Sequence, residues 1–372
     1  MPPFGAFSPF CSSPLAGVDI SSPLPHCNIL FSALLGVSSP AALSRLFPRP
    51  IQIYGNRTIN DPAASDPASR EVDPSANVDD PLVRAYLERA GTGVGVACDV
   101  GRAGVGGSLG DIAQIVVCGA CVGFVLWLAS VPLQLKDDTC SWRRTRIQGF
   151  AVTLIFKILT TGNVLQQGSA ALSVTSSIHL GLLSLMAWIL LVNASVAFQL
   201  LEDGSPSALL VLYAGGAVAF TLSAFFALDQ AFGISELFAF EPGSASERDL
   251  VNEAMMVLGL LWPYTAVVVY FLVMAYVVYF RLRETRPLVW FTVSFLFFAA
   301  GQAAQFLASQ PLCKISDARL TAGFLNTLLE TVSSGMLFVA WRSITEDDWY
   351  DDVYGSEEAL KGGAGEPYAY AY

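Results

Sequence analysis

The two residues of this chain best placed to do chemistry are Lys157 and Glu330, which lie near the middle of two long apolar stretches. A single charge at the centre of a lipid bilayer costs at least about 2.5 kcal/mol, so such residues usually face the protein interior and pair. A pair of this kind can relay a proton or an ion, or it can fix which helices are neighbours. Because the chain offers one acid and one base, without a graded series of carboxylates, the pattern favours the structural role.

The sequence has none of the patterns that carry catalysis or cofactor binding. It contains no glycine-rich phosphate loop, no zinc-ligand spacing and no nucleophile constellation, and its only histidines are His26 and His179. We therefore expect no catalytic residue, no metal site and no cofactor. Gln302, Gln305 and Asn326 instead predict hydrogen bonds between helices.

The elements that position these residues are apolar stretches of roughly 20 residues, the length at which a helix crosses about 30 Å of hydrocarbon. No alternating pattern is visible, so helices are favoured over a barrel. We predict an all-α, polytopic membrane protein with a seven-helix transmembrane bundle. The predicted spans are residues 112–133, 147–166, 174–200, 207–228, 254–280, 288–308 and 320–341.

Three regions follow from composition, which is 53% hydrophobic and 14% charged with a formal net charge of -11. Residues 1–110 are rich in Pro, Ser, Ala and Asp and are predicted to be a largely disordered tail, with an amphipathic or lumenal helix within residues 28–47. Residues 111–341 form the transmembrane domain, and residues 342–372 form a short acidic tail. The lack of a basic surface argues against nucleic acid as a partner. The expected partner is the lipid bilayer.

Orientation follows from Lys and Arg, which are in excess on cytosolic loops. The first, third and fifth loops and the C-tail carry nine of these residues, against four near the membrane on the other side. The bias predicts a lumenal N-tail and a cytosolic C-tail. It also places the glycosylation sequon at Asn56 in the compartment where glycosylation occurs.

Four cysteines fall on the predicted lumenal side: Cys11, Cys27, Cys98 and Cys313. An oxidising compartment allows them to form two disulfides. Four cysteines can pair in three ways, and the sequence leaves the connectivity open. A bridge from the N-tail to Cys313 would anchor an otherwise mobile segment.

Several short motifs together resemble the fungal chitin synthase export chaperones. They are residues 198–206, which contain Glu202, Asp203 and Gly204, the Gly301-Gln302 pair, and residues 341–348 just after the seventh stretch. The N-terminal cysteine pattern is also similar. The resemblance covers roughly residues 98–352, whereas residues 34–97 look like an insertion and the first two spans match only in their hydrophobic pattern.

This resemblance implies a multi-pass protein of the endoplasmic reticulum membrane that helps a chitin synthase, its client, to fold and reach the cell surface. It implies a role in fungal cell wall chitin synthesis and no catalysis. The sequence agrees, because the largest predicted cytosolic loop is only about thirteen residues and cannot hold a glycosyltransferase domain.

The acidic tail suggests a second element of such a role. Acidic residues are interleaved there with Trp349 and Tyr350, a composition that a basic groove of a vesicle coat protein could bind. The alternative is a solvated acidic end that keeps the tail away from anionic lipids. The candidate export signal consists of Glu346, Asp347, Asp348, Asp351 and Asp352.

Two other classes share this architecture, namely a seven-helix receptor and a small-solute transporter. The short third cytosolic loop argues against the receptor. The lack of internal repeats and the scarcity of charged pore-lining positions argue against the transporter.

Overall fold

The structure is a computed structural model that describes residues 3–11, 24–37, 98, 100–105, 108–134, 141–201, 205–235, 237–242, 244–283 and 285–362. Every regular element in this part of the chain is helical, and the β pairing found there is a single bridge between Ala6 and Val251. The all-α prediction is therefore confirmed for the residues described.

The described helices are numbered here in chain order. They are α1 (Ser8–Cys11), α2 (Pro25–Val37), α3 (Ile112–Gln134), α4 (Ser141–Thr161), α5 (Ala170–Ala197), α6 (Pro206–Phe232), α7 (Ala245–Asp249), α8 (Glu253–Leu282), α9 (Thr285–Ile315) and α10 (Gly323–Gly362).

Six of the helices in the described ranges are long and apolar enough to cross a membrane: α3, α5, α6, α8, α9 and the first part of α10. The predicted second span, residues 147–166, overlaps α4, which begins earlier, at Ser141, and ends five residues earlier, at Thr161. Its apolar part is Ile147–Thr161, shorter than the roughly 20 residues of a standard crossing. The helix stops because Gly162 follows and Asn163 takes a positive φ of 56°. By either count the chain is a multi-pass membrane protein.

The helix α8 is loosened near its start. Its residues Met256–Leu261 form a π-helical segment that ends just before Trp262 and Pro263. Proline has no N–H group, and its ring clashes with the carbonyl four residues earlier, so a regular α-helix cannot run through this position unchanged. The segment carries Gly259, whose missing side chain leaves room for the imidazole of His26.

Six helices pack side by side into a closed ring, in the order α3, α4, α5, α8, α9, α10 and back to α3. The helix α6 lies outside this ring, and α2 packs against both α5 and α6. A ring of this kind leaves an interior that its members share, and the polar residues predicted from the sequence lie there.

Two described parts of the predicted N-terminal tail, residues 3–11 and 24–37, belong to the bundle. Phe7, Cys27 and Leu30 are completely buried and share a hydrophobic cluster with Leu180 of α5 and Met256 of α8. The helix predicted within residues 28–47 overlaps α2, which begins earlier, at Pro25, and is described as far as Val37. These segments therefore close one end of the ring.

Candidate functional site

The polar centre of the ring is built around Lys157 and Glu330, which the structure brings together. Lys157 Nζ lies 2.8 Å from Glu330 Oε2, and both side chains are largely buried. Gln302 donates to Glu330 Oε1 at 2.7 Å and to Asn326 Oδ1 at 3.3 Å, and Tyr264 donates to the Gln302 carbonyl oxygen at 2.7 Å. The network joins α4, α8, α9 and α10 inside a low-dielectric interior.

Gly301 allows this network to form. A Cβ atom at this position would lie 2.9 Å from Asn326 Oδ1 and 3.2 Å from Leu329 Cβ. The missing side chain therefore lets α9 and α10 approach closely, as small residues do between membrane helices. Close approach is what puts the neighbouring Gln302 within reach of Glu330.

A second group of polar contacts ties the ends of three helices together. Asp111, immediately before α3, accepts hydrogen bonds from the backbone N–H groups of Gln114 and Thr321, each at 3.2 Å, and from the Thr321 hydroxyl. Its own N–H donates to the carbonyl oxygen of Gly162 after α4. Burial raises the pKa of the Asp111 carboxyl, and the bonds from Thr321 and Gln114 oppose that shift.

The helix α2 is joined to the ring by its own polar contacts. Asn28 donates to the carbonyl oxygen of Thr160 at 2.9 Å and to the Ser176 hydroxyl at 3.2 Å. The Thr160 hydroxyl in turn contacts His179 Nδ1 at 2.8 Å. His179 thus has a structural partner inside the bundle.

The four predicted lumenal cysteines form two pairs in the structure. Cys11 is bonded to Cys27, and Cys98 is bonded to Cys313. The first disulfide joins α1 to α2, and the second fixes the chain before α3 to the last turns of α9. Cys98 also exchanges two hydrogen bonds between its backbone and the Gln310 amide. Of the pairings left open by the sequence, the structure has this one.

The interior of the ring contains a cavity of about 260 Å³. Its lining includes Lys157, Glu330, Gln302 and Tyr264, and also His26 from the N-terminal segment. The paired charges are therefore on the wall of an internal space and not sealed in a solid core.

Several other residues singled out in the sequence fall outside the described residues or outside the described side chains. Asn56 and the motif residues Glu202, Asp203 and Gly204 are outside the described residues. The candidate export-signal acids belong to the last part of α10, which continues to Gly362 and of which only the backbone is described from residue 345 onwards. Within the motif at residues 198–206, Ser205 caps α6 by accepting from the Ala208 N–H at 3.2 Å.

Among the members of these networks that sequence reasoning missed are Tyr264 and Asp111. Tyr264 was not singled out because a tyrosine in an apolar stretch is usually a packing residue, and its hydroxyl partner is a tertiary contact. Asp111 had a local signal that went unused: an aspartate just before an apolar helix is a common N-terminal capping residue.

The family profile of the chitin synthase export chaperones matches residues 87–354. This chain belongs to that family. The matched range contains α3 to α9 and most of α10, so it includes every charged member of the polar centre.

Individual family members are distant in sequence. The chain is 27% identical over 199 residues to a chitin synthase export chaperone of Chaetomium globosum, covering 54% of this chain and 57% of the relative. It is 25% identical over 203 residues to one of Kluyveromyces lactis, covering 53% of this chain and 60% of the relative. The chain thus spans a little over half the length of these relatives. No solved structure shows significant similarity to it.

Breaking the charged pair of this export chaperone family member is expected to destabilise it. Lys157→Met or Glu330→Gln alone should lower the free energy of unfolding by about 3 kcal/mol, because the remaining partner keeps a buried, uncompensated charge. The double variant should recover most of the loss, since it leaves no charge behind. Thermal unfolding of the purified protein in detergent measures the three variants as a cycle.

The exposed Arg319→Met substitution is the control and should leave the melting temperature unchanged. Losses that simply add in the double variant would contradict the pairing.

The disulfide connectivity has a direct test. A protease site is engineered within residues 38–97, and the chain is cut and run on a denaturing gel without reductant. The N-terminal fragment is expected to separate, because Cys11 and Cys27 both lie on it while Cys98 and Cys313 both lie on the other fragment. A fragment that separates only after reduction would show one of the two crossed pairings.

Proposed function

We propose that this protein is a membrane-embedded chaperone of the endoplasmic reticulum, with a chitin synthase as its client. In this role it assists the folding of the synthase and its export to the cell surface, and so supports chitin synthesis in the fungal cell wall. The family match over residues 87–354 is the observation that carries the proposal. The relatives are named as export chaperones and not as synthases.

The proposed topology is a seven-helix bundle with a lumenal N-tail and a cytosolic C-tail. The Cys98–Cys313 disulfide supports this count, because its two ends must lie on the same side of the membrane. An even number of crossings must then separate them, so α4 has to be counted with α3, α5, α6, α8 and α9. At 21 residues, α4 is about 31 Å long, enough to cross.

The disulfides also support the assignment of these residues to the lumenal side of the membrane. Disulfides persist in the lumen of the reticulum and are rare in the cytosol. The excess of Lys and Arg on the opposite loops points the same way. Asn56 then lies in the lumen, where a glycan that is lost in Asn56→Gln and removed by a glycosidase reports the orientation.

A chaperone for membrane helices needs a lateral surface, and α3 offers a suitable one. Its outer face exposes Gly119, Ala120 and Gly123, between Val116 and Trp127, which are 61% and 60% exposed. A Cβ atom added at Gly119 or Gly123 would meet nothing within 4 Å. Two glycines four residues apart let a second helix approach the backbone closely, which is how helices associate in lipid. This face, called the α3 glycine face below, is where we propose that the client packs.

Filling the α3 glycine face is expected to trap the client. Gly119→Leu/Gly123→Leu should fold normally, since both positions are open and glycine is a poor helix former, yet it should block close helix approach. We expect at least a tenfold fall in fluorescently tagged chitin synthase at the cell surface, measured by microscopy together with cell wall chitin content.

The matched control is Ala214→Leu/Ala217→Leu on the exposed face of α6, which should leave export unchanged. Two negative outcomes are distinguishable. Normal delivery of the synthase in a strain lacking this protein ends the chaperone proposal, whereas normal delivery in the glycine variant alone ends only the assignment of the face.

The acidic end of α10 is proposed as a signal for vesicle coat proteins. We expect replacement of its acidic residues by Ala to slow exit from the reticulum several-fold while the chaperone still binds its client, measured by pulse-chase transport and by co-purification. Unchanged transport would leave the tail as a solvated acidic end. The residues replaced are Glu346, Asp347, Asp348, Asp351 and Asp352.

A further inference from the structure

The cavity inside the helix ring is large enough to hold a molecule. Its volume of about 260 Å³ exceeds that of engineered apolar cavities of about 150 Å³, which bind benzene. All six helices of the ring contribute to its wall, together with residues 24–26 of the N-terminal segment. It is far too small for a helix, which is about 10 Å across.

The shape of the cavity is elongated. On α10 its lining runs from Gly323 to Phe338, fifteen residues apart, which corresponds to about 22 Å along the helix axis. A modest volume drawn out over this length fits a chain-like molecule better than a compact one.

One end of the cavity is apolar. Its wall there is formed by the parts of the ring helices that lie away from α2, and none of these side chains carries a charge. They include Val125, Leu128, Ile147, Leu190 and Leu337. This end suits a hydrocarbon body.

The opposite end is more polar and includes a buried polar atom that lacks a partner. Gln305 is 5% exposed, and its side-chain carbonyl oxygen has no hydrogen-bond partner among the described residues. His26 is 2% exposed, and its imidazole interacts with the backbone of Gly259. A buried polar atom without a partner, such as the Gln305 oxygen, costs free energy, and both residues line the cavity. They are placed to bind a polar group that enters it.

The charge of the cavity restricts what that group can be. Apart from two histidines, Lys157 is the basic residue and Glu330 the acidic residue of its lining, and they compensate each other at 2.8 Å. A ligand with a net charge would enter this interior without a counter-charge, which is costly. An uncharged head meets no such penalty.

We propose that this cavity binds an uncharged amphiphile with a single hydrocarbon chain. The chain lies along the apolar end, and a hydroxyl or amide head hydrogen-bonds to Gln305 and lies beside His26. The disulfide-linked N-terminal segment, which supplies His26, covers the head. This site is distinct from the α3 glycine face and does not depend on the proposed export role.

The test uses a photoactivatable monoacylglycerol that carries a diazirine and an alkyne in its chain, with the full-length protein in phosphatidylcholine nanodiscs. We expect adducts, mapped by mass spectrometry, on cavity-lining residues, and we expect excess unlabelled monoolein to compete. Adducts confined to lipid-facing residues, or adducts that monoolein does not reduce, would overturn the proposal.

A pair of matched variants tests the location. Ala187 lines the cavity and is buried, whereas Ala217 is exposed on α6. Ala187→Phe should lower the cavity adducts about tenfold, and Ala217→Phe should leave them unchanged. Equal labelling of two folded variants would contradict the site.

The polar head is tested separately, and this arm does not depend on the folding of the Ala187 variant. Gln305→Leu should weaken labelling by the monoacylglycerol about five- to tenfold, the effect of one hydrogen bond, but should not weaken labelling by a headless hydrocarbon diazirine. A fatty-acid diazirine should label less than the monoacylglycerol. Stronger labelling by the carboxylate would overturn the uncharged head.

Discussion

The pairing of Lys157 with Glu330 is the interaction on which the arrangement of the ring depends. Neither charge can face lipid without a large penalty, so α4 and α10 must present these residues to the same interior space. Once Glu330 is there, its second oxygen needs a donor, and Gln302 supplies it from α9. Tyr264 of α8 then donates a hydrogen bond to the side-chain carbonyl oxygen of Gln302. Each partner therefore fixes the rotation of one more helix about its own axis. Apolar packing alone would allow many such rotations.

The same logic explains why the N-terminal segment is built into the bundle. Residues 24–37 are too short to span a membrane, yet they bury the side-chain amide of Asn28 against α4 and α5. The Cys11–Cys27 disulfide holds α1 against this helix, and Cys98–Cys313 fastens the chain before α3 to the end of α9. Polar contacts inside and covalent links at one end thus restrict the ring at two different depths.

Most of this arrangement could be predicted from the sequence, because a bilayer places strict limits on helix length and on buried charge. Apolar length located the six helices that are long enough to cross a membrane, and the cost of a buried charge indicated that Lys157 and Glu330 are partners. The end of α4 was missed, since it depends on the positive φ of Asn163 after Gly162, and the apolar pattern continues past that point. Disulfide pairing was not accessible either, because it requires knowing that the segment before Cys11 folds back onto α2, which is a tertiary fact.

The interior of the ring and its outer surface meet different physical requirements. This difference fits the proposed action on another membrane protein. Inside, polar groups specify a unique arrangement, because an unpaired one is costly in a dry interior. On the outer surface, lipid is as apolar as a leucine side chain, so burying apolar side chains provides no driving force for a partner helix to bind. Binding there depends on places where the two backbones can approach closely. The open glycines at Gly119 and Gly123 meet that condition without weakening the interior, since neither contacts a neighbouring helix. Substitutions at these two glycines should therefore leave the polar contacts inside the ring intact.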